Sequence, residues 1–576
     1  MFNFWSQEKP KIKIIKKKKL KGHYFELNDL LADYNNVIYK CNLYFAKDSS
    51  WWFTPISSRE WYGSNLQKIY QSFPKILQFF EQPNNEFEII YENEYQIELL
   101  YFFIKEYECE IKIPFILKIY LFFLPFIQVF LNIKEFISVN ILLLILSFRT
   151  FSTEQNGNYD VVFFCPFHGT KPKINSIDIP FDRYFGDLPH AYFDNKHKTE
   201  ILGIVDTLYD TKSIFNLEDH FKITPLLKYW RLRFYFKFLI YSINELIFSP
   251  TIKSPIKSKL PNIHKQINRE IRKFYWNRLI AKAYQYSCKN YIQISKPRFV
   301  FHTYENNWWE RAINLACKES SSIVKKQIGY LHCAILDSHM KYTILKDEWD
   351  FKPRPDVILV TGPEAKKVLI RRGSYKDGNI RVGYDLRGPN LYLIKQKANR
   401  PKKIHKVLVL LEGLNTMPKF LQLVMETIGE MDYLISVRCH PVFPIDKSEF
   451  KEIRNHKLYS QLEVTKKSSL NEDLKNADIV VYKGSTSALY AGYMGIPLLR
   501  FQDGWWASDD PLEGCNSFKK NFSNSQELLD GIQYFESMKD EFFEKERTTL
   551  QNYVFHYMRP YTEHDLEKLA KELIAS

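Results

Sequence analysis

Two short segments of the sequence place polar side chains where a phosphorylated ligand can bind. The first is Gly484-Ser485-Thr486-Ser487, which follows an apolar, β-branched run from Asp478 to Tyr482 and precedes a short helical pattern. Backbone N–H groups at the start of a helix, together with hydroxyls, form a site for an anion. Ser485 and Thr486 equally fit a simpler role as N-cap residues of that helix. Phosphate binding and helix capping are therefore both open for this loop.

The second segment is His440-Pro441, about forty residues upstream of the first. It follows a predicted strand from Leu434 to Cys439, and because proline ends strand pairing, the imidazole is expected at the carboxyl edge of that strand. Ligands of open α/β sheets bind at this edge. The two segments together predict a phosphate site made of His440 and the Gly484 to Ser487 loop. Hydrogen bonds would hold the phosphate there without a metal ion.

A third pair, Glu412-Gly413, directly follows the predicted strand from Val407 to Leu411. Gly413 permits close approach of a ligand because it has no side chain, and Glu412 can accept a hydrogen bond from a nucleotide base or ribose. We therefore include both residues in the predicted site, where they would contact the nucleotide part of the ligand.

Glu305 follows another predicted strand, Arg298 to His302. A carboxylate at that position can take a proton from an attacking hydroxyl, which makes Glu305 the candidate catalytic base. Capping of the next helix explains the residue equally well. Glu310 and Arg311 lie within that helix and fit an ordinary charged face.

Two histidines also follow predicted strands. His332 ends the run Gly329 to His332 and can assist Glu305, bind an acceptor or satisfy a backbone carbonyl. His168 follows the strand from Tyr159 to Cys165 and is a candidate acceptor contact, with an ordinary loop histidine as the alternative.

Strand and helix patterns alternate regularly from residue 298 onwards, which predicts a doubly wound α/β arrangement that occurs twice. The expected organisation is an N-terminal region with a basic run and an apolar helical hairpin (1–150), a Rossmann-like acceptor domain (151–387) with a helical insertion around 222–290, a linker (388–403), a Rossmann-like donor domain (404–525) and C-terminal helices (526–576).

The N-terminal region holds the most apolar part of the chain, Pro114 to Phe148. We predict a helical hairpin there that is buried in the domain or lies in a membrane interface, with a true membrane span as a third alternative. The first two interpretations also apply to Leu226 to Phe248, where Lys and Arg alternate with aromatics. Trp51 to Arg59 sets aromatics beside hydroxyls, which suits a sugar pocket but is commoner in packing.

Composition limits the partners. Of 576 residues, 81 are Lys or Arg and 66 are Asp or Glu, which gives a net charge of +15. Such a charge suits a nucleotide, an acidic glycan or the anionic inner leaflet of a membrane. Nucleic acid is disfavoured because no recognised binding motif is present. The eight cysteines stand singly and no signal-peptide pattern follows the basic run, so we expect a cytoplasmic protein, with peripheral association at the inner membrane face as an option.

The ordered motifs resemble a known group of enzymes. His440-Pro441 with the Gly484 to Ser487 loop resembles the donor site of bacterial GT-B glycosyltransferases of the sialyltransferase and Kdo-transferase kind. Three further runs resemble surface-carbohydrate biosynthesis proteins of capsule and lipopolysaccharide loci, and the similarity covers roughly residues 155–515: YENNWWERA (Tyr304 to Ala312), IGYLH (Ile328 to His332) and RPDVILVTGPEA (Arg354 to Ala365).

The resemblance implies a GT-B-like α/β fold, in which two doubly wound Rossmann-like domains face a cleft, with the apolar, mainly helical N-terminal region added. It further implies transfer of a CMP-activated nonulosonic acid or Kdo-like sugar to a glycan or lipid-linked glycan precursor of the cell surface, without cofactor or metal. Sialyltransferases carry an acidic-acidic-Gly motif that supplies the base. Here only Leu411-Glu412-Gly413 approximates it, in the second domain, so Glu305 is the preferred base.

Two other functions fit the same sequence features. One is a polyol-phosphate transferase of the teichoic-acid type, which would use the same histidine and hydroxyl contacts to its donor. The other is a non-catalytic scaffold or glycan-binding subunit of a capsule or lipopolysaccharide assembly complex.

Overall fold

The structure is a computed structural model of the chain. It describes residues 11–15, 27–59, 66, 69–70, 86–90, 110–112, 115–149, 158–167, 184–205, 224–260, 263–388, 390–397, 400–401, 403–414, 416–441, 443–465, 468–503 and 507–575. Clustering of contacts divides the chain into two compact units, one of residues 1–171, 197–329 and 340–356 and the other of residues 172–196, 330–339 and 357–576. This division differs from the predicted domains, since residues 1–150 belong to the same unit as residues 197–329.

The described residues form three sheets, whose strands are numbered here in chain order. A small antiparallel sheet has the order β2-β1-β3, and two larger sheets have seven and six strands. The strands are β1 Lys11–Ile15, β2 Glu86–Ile90, β3 Glu110–Lys112, β4 Val161–Phe167, β5 Thr199–Val205, β6 Thr224–Pro225, β7 Phe299–Thr303, β8 Lys326–Leu331, β9 Val357–Val360, β10 Ile380–Val382, β11 Lys406–Leu410, β12 Leu434–Arg438, β13 Leu462–Val464, β14 Ile479–Tyr482, β15 Leu498–Phe501 and β16 Lys519–Phe522.

Both larger sheets are doubly wound. The seven-stranded sheet has the order β10-β9-β8-β7-β4-β5-β6, so the strand order reverses between β4 and β7. The six-stranded sheet has the order β13-β12-β11-β14-β15-β16, and all its pairs are parallel. Its strand order reverses between β11 and β14. This is the strand order of dinucleotide-binding sheets. The predicted α/β class with two Rossmann-like sheets is therefore confirmed.

The helices flank these sheets and fill the N-terminal part. They are α1 Leu27–Tyr44, α2 Ser49–Trp52, α3 Phe115–Arg149, α4 Leu188–Asp194, α5 Leu232–Ile247, α6 Ile263–Lys273, α7 Tyr275–Ser295, α8 Trp308–Lys318, α9 Glu348–Phe351, α10 Pro363–Arg371, α11 Met417–Ile428, α12 Lys451–Arg454, α13 Leu470–Asn476, α14 Ser487–Tyr493, α15 Ser525–Ser537, α16 Asp540–Tyr557 and α17 Glu563–Ala575.

The predicted helical hairpin in the apolar N-terminal stretch is wrong, because α3 is one continuous helix of 35 residues. Pro125 removes a single backbone donor and bends rather than reverses a helix, and Lys134-Glu135 contains no helix-breaking residue. Within α3, the stretch Phe126–Phe148 is long and apolar enough, by length and composition alone, to cross a membrane.

The segment Trp51 to Arg59 packs inside the first unit, and all nine residues are buried. Packing therefore explains its aromatics and hydroxyls. Its last residue, Arg59, forms a fully buried ion pair with Glu348, with Nη1 2.9 Å from Oε1. The backbone N–H of Leu345 donates to the other carboxylate oxygen at 3.0 Å, and Asn42 also donates to Glu348. One carboxylate thus joins α1, the buried segment and α9.

Glu348 also opposes a concentration of buried positive charge. Burial acts to raise the pKa of Glu348, but Arg59 and Lys352 hold it below its usual value. Burial lowers the pKa of Lys352 to about 7, an effect that Glu348 counteracts and that Arg59 and Arg311 reinforce. Removal of the Glu348 charge would leave three buried cationic side chains facing one another.

We predict that Glu348→Gln destabilises the protein by about 3 to 5 kcal/mol, because it leaves the buried Arg59 without its charge partner. The matched control is Glu319→Gln, which removes the carboxylate of a half-exposed pair with Lys289 at 2.9 Å and should cost about 1 kcal/mol or less. Urea unfolding followed by circular dichroism measures both values. Equal losses in the two variants would contradict the importance of the buried pair.

Candidate functional site

Three polar segments follow three neighbouring strands of the six-stranded sheet. In the order β12-β11-β14, His440-Pro441 comes two residues after the first strand, Glu412-Gly413 comes two residues after the second, and Gly484 to Ser487 comes two residues after the third. The strands are parallel, so all three segments lie at the same carboxyl edge. The strand order reverses between β11 and β14, within this group, and ligands of such sheets bind at that position.

Glu412 and Gly484 are in direct contact at this edge. The backbone N–H of Gly484 donates to Oε1 of Glu412 at 2.7 Å. A Cβ atom at position 484 would lie 2.6 Å from the carbonyl oxygen of Asp509 and 3.0 Å from Oε2 of Glu412, so this approach requires glycine. The first N–H of the loop predicted to hold phosphate is therefore already bound to a carboxylate.

Charged side chains surround this contact. Lys483 places Nζ 2.9 Å from Asp503 Oδ2 and 3.2 Å from Asp509 Oδ2, and Arg500 Nη2 is 2.9 Å from Asp509 Oδ1. Burial raises the pKa of Glu412 to about 7, Asp509 adds to the rise and Lys483 opposes it. Near neutral pH the Glu412 carboxyl group therefore exists in both protonation states, and it can accept or donate a hydrogen bond.

The loop after Gly484 presents its hydroxyls at the start of α14. Ser485 and Ser487 are half-buried and Thr486 is exposed. Thr486 occupies the N-cap position of α14, but its side chain makes no capping hydrogen bond in the structure. Capping therefore does not account for this hydroxyl. The helix is short because it ends at Gly495, which has φ of +78°.

His440 lies on an exposed turn beyond β12. The backbone N–H of Phe443 donates to the carbonyl oxygen of His440 at 2.9 Å, which closes a tight turn that includes Pro441. Phe443 is buried, with its ring centroid 5.2 Å from that of Phe450. The turn is therefore anchored by an aromatic side chain and leaves His440 accessible at the edge of the sheet.

In the seven-stranded sheet, Glu305 occupies the corresponding position. It comes two residues after β7, next to the position between β4 and β7 where the strand order reverses. Its side chain is 24% exposed, and its Oε2 atom is 3.6 Å from Nζ of Lys341. Asn307 Nδ2 donates to the same oxygen at 3.3 Å. The geometry is that of a partly accessible carboxylate held by a lysine at a strand end.

The N-cap residue of α8 is Asn307, and Glu310, not Glu305, completes the capping box with it. The Glu310 carboxylate accepts from the Thr303 hydroxyl at 2.7 Å, from the backbone N–H of Glu305 at 3.0 and 2.9 Å, and from that of Asn307 at 2.9 Å. Burial raises the pKa of Glu310 to about 8, and the charge of Glu305 adds to the rise. These contacts leave the side chain of Glu305 outside the cap.

The prediction that Glu310 and Arg311 form an exposed charged face is wrong. Both are buried, and Arg311 donates from Nη2 to the carbonyl oxygen of Thr54 at 3.2 Å and also bonds to the Ser57 hydroxyl. Sequence periodicity fails here because these partners come from a segment some 250 residues away in the chain.

Of the two histidines that follow predicted strands, the structure describes His332 but not His168. His332 directly follows β8 and is buried, with its ring centroid 4.9 Å from that of Tyr184 in an edge-on arrangement. A packing role is thus evident for His332. His168 lies outside the residues that the structure describes.

A polar group absent from the sequence prediction lies beyond β10. Asp385 is buried, and it accepts from the Tyr490 hydroxyl at 3.2 Å and from the backbone N–H of Gly388 at 3.3 Å. Burial raises the pKa of Asp385 to about 6. A Cβ atom at Gly388 would lie 1.8 Å from the Tyr490 oxygen. The sequence shows an aspartate soon after a predicted strand, which could have marked Asp385 as a candidate. Its partner Tyr490 is distant in sequence, so the contact itself could not be predicted.

A cavity of about 640 Å³ lies elsewhere on the same sheet. Its lining includes Lys406 and Leu434 at the amino ends of β11 and β12, together with Glu463 and Asp473. It does not include Glu412, His440 or the Gly484 to Ser487 loop. We therefore assign the candidate site from strand topology and hydrogen bonding rather than from cavity size.

Comparison with known proteins gives low similarity. No protein-family model and no curated protein matches the chain. Among solved structures it is similar to UDP-GlcNAc 2-epimerase of Methanocaldococcus jannaschii (12% identity, 72% of this chain and 100% of that chain, TM-score 0.40), MurG of Acinetobacter baumannii (9%, 72% and 99%, 0.39) and the calicheamicin glycosyltransferase CalG4 (10%, 72% and 98%, 0.41). Because the identities and TM-scores are this low, we describe the fold from the strand order of the chain itself.

We predict that Glu412→Gln changes the pH dependence of stability. The native carboxyl group, with its raised pKa, binds more protons than the unfolded one between about pH 4.5 and 7, so its contribution to stability falls as the pH rises through this range. The variant should therefore gain roughly 2 to 3 kcal/mol relative to wild type between those limits. Urea unfolding at several pH values measures this difference. A difference that does not change with pH would contradict the buried, protonatable state of Glu412.

Proposed function

We propose that this protein is a glycosyltransferase of the GT-B type that binds a nucleotide sugar at the carboxyl edge of β12, β11 and β14. The observation that carries the proposal is the parallel sheet whose strand order reverses between β11 and β14. Glu412 contacts Gly484 at this position, and His440 and the Ser485 to Ser487 hydroxyls follow the neighbouring strands. Nucleotides bind at such positions because loop N–H groups and polar side chains converge there.

Each group at this edge has a chemical role in the proposal. Glu412 holds the ribose or base of the donor, since its carboxyl group can both accept and donate hydrogen bonds near neutral pH. Gly413 leaves room for the nucleotide, and His440 with the Ser485, Thr486 and Ser487 hydroxyls binds the phosphate. Pro441 fixes the turn that presents His440. These groups act by hydrogen bonding and charge, so the proposed reaction uses neither a metal ion nor a cofactor.

The Glu412 to Gly484 hydrogen bond limits where the phosphate lies. An ionised carboxylate next to a phosphate repels it, and Oε1 already occupies the Gly484 N–H. Phosphate binding is therefore assigned to the hydroxyls after Gly484 and to His440, while Glu412 faces the uncharged part of the nucleotide. This arrangement differs from a phosphate held by the whole loop from Gly484 onwards.

The proposed donor is a CMP-linked nonulosonic acid or Kdo-like sugar, and the acceptor is a glycan or lipid-linked glycan precursor of the cell surface. The motif resemblance supports this choice. Glu305 is the proposed base, because it is a partly exposed carboxylate at a strand end, with Oε2 3.6 Å from Nζ of Lys341. His332 and His168 are assigned to assistance of the base and to acceptor contact. The reaction would take place on the cytoplasmic side of the membrane.

We expect the purified protein to bind a cytidine nucleotide, and His440→Ala to weaken that binding by about 1 to 3 kcal/mol through loss of a hydrogen bond to phosphate. His405→Ala is the matched control, because His405 is also exposed but lies at the amino end of β11. Thermal shift with CMP, CDP, UDP and GDP selects the nucleotide, and calorimetry gives the affinities. Unchanged affinity in His440→Ala would remove this residue from the site.

The same panel separates the alternatives. Protection by a cytidine diphosphate compound carrying a polyol, with none by CMP-sugars, would favour a polyol-phosphate transferase. Absence of binding by every nucleotide would favour a non-catalytic scaffold, since a ligand that binds only the native state must raise its stability.

Glu305→Gln should reduce turnover by a factor of roughly 100 or more while leaving donor affinity within about twofold, because general-base catalysis acts on the chemical step. The control is Glu319→Gln, which alters a half-exposed carboxylate on the surface of the same unit. Turnover is measured as release of the nucleotide in the presence of acceptor glycan. Normal turnover in Glu305→Gln would exclude it as the base.

A further inference from the structure

Helices α3 and α5 of the first unit carry an unusual concentration of exposed apolar side chains. Of the twenty-four large apolar residues that are exposed in the described part of the chain, fifteen lie on these two helices or directly after α5. They include Phe126, Phe130 and Phe148 on α3, which are 64%, 68% and 64% exposed, and Phe236 and Ile240 on α5, which are 65% and 62% exposed. We call this surface the α3–α5 face.

The exposed sides of the two helices point the same way. Val139 and Leu143 of α3 and Phe238 of α5 are buried in one hydrophobic core, so the opposite sides of both helices face outwards. Asn140 Nδ2 donates to the Ser242 hydroxyl at 3.3 Å across the helix pair. The exposed apolar residues of α3 extend over about 33 Å between Phe126 and Phe148, and those of α5 lie on the neighbouring helix. Scattered exposed apolar residues do not produce such a concentration.

The charges on this face are positive. Arg233 and Lys237 are exposed on either side of Phe236, and Lys134 is exposed on α3. Among the described side chains of both helices no exposed one is a carboxylate. Glu245 is buried in an ion pair with Arg278 at 2.8 Å, and Glu135 is half-buried. A surface of aromatic and aliphatic groups with interspersed cations complements a bilayer that has anionic headgroups.

The other side of α3 is attached to the protein between Asn132 and Ser147. Asn132 Nδ2 donates to the carbonyl oxygen of Arg272 at 3.4 Å, and the indole N–H of Trp230 donates to the Ser147 hydroxyl at 2.8 Å. Leu142 and Leu146 between these points are buried in the core. A helix that crossed a bilayer would have to break these contacts, and the polar side chains of Asn132, Asn140 and Ser147 would then face lipid. The structure thus favours contact with a membrane from the side.

We propose that the α3–α5 face docks side-on to the surface of an anionic lipid bilayer, with α3 and α5 lying in the interface. The apolar side chains enter the boundary between headgroups and acyl chains, and Arg233, Lys237 and Lys134 contact the lipid phosphates. This inference goes beyond the transfer reaction and is independent of it, because it rests on a surface that contains none of the proposed site residues.

Vesicle flotation of the full-length protein tests the inference. The wild type should float with vesicles of phosphatidylcholine and phosphatidylglycerol, bind much less to pure phosphatidylcholine, and lose affinity as salt is raised. The double variant Ile141→Glu with Ile240→Glu should lower the partition coefficient roughly tenfold or more, because it places charges in the apolar face. The matched control is Leu393→Glu, which changes an 83% exposed residue of the second unit and should bind as wild type with allowance for one charge.

Three outcomes would overturn the proposal. The first is absence of wild-type binding to anionic vesicles. The second is resistance of the membrane-bound protein to extraction by carbonate at high pH, which would show a crossing helix. The third is a dimer, seen by light scattering without lipid, that Ile141→Glu with Ile240→Glu dissociates, which would show that a second copy covers the face. Circular dichroism melting of each variant checks folding, and nucleotide protection separates failure here from failure of the proposed transferase.

Discussion

Parallel pairing of β11 with β12 and β14 is the constraint on which the candidate donor site depends. Val407 pairs with Ile435 on one side and with Ile479 on the other, and the strand is buried along almost its whole length. Burial of apolar side chains on both faces fixes this register, since a slip of one residue would exchange the faces of the strand. Every polar segment at the carboxyl edge is placed by that register.

The same packing changes the chemistry of the groups that it places. Glu412 would be an ordinary ionised carboxylate in solution, but burial near Asp509 raises its pKa to about 7. Its hydrogen bond to Gly484 brings two loops together that are 72 residues apart. The local charge at the edge of the sheet is therefore set by the packing of the strands and by the network of Lys483, Arg500 and the neighbouring aspartates.

The first unit is organised by buried charge in addition to its apolar core. Glu348 holds Arg59 and so joins the N-terminal segment to the rest of the unit. Arg311 bonds to the same segment, and Glu310 closes the turn between β7 and α8 beside Glu305. The N-terminal residues thus help to fix the strand end at which the proposed base lies. On the outer side of this unit, α3 and α5 use one face for the core and expose the other.

The sequence by itself determined the fold class and most of the strands. Apolar β-branched runs followed by polar turns predicted β11, β12 and β14, with boundaries within one residue of those observed, and placed Glu305, Glu412, His440 and Gly484 at strand ends. These features are local, because strand length, proline and glycine act on neighbouring residues.

The tertiary structure alone decided which side chains are buried and what they contact. It showed that α3 is one helix, that Glu310 and Arg311 are buried, and that Asp385 bonds to Tyr490. Periodicity could not show the contacts of Arg311 and Asp385, because their partners lie far away in the chain. The free energy of a charged or polar side chain is set by the atoms around it, and those atoms are brought together only when the chain has folded.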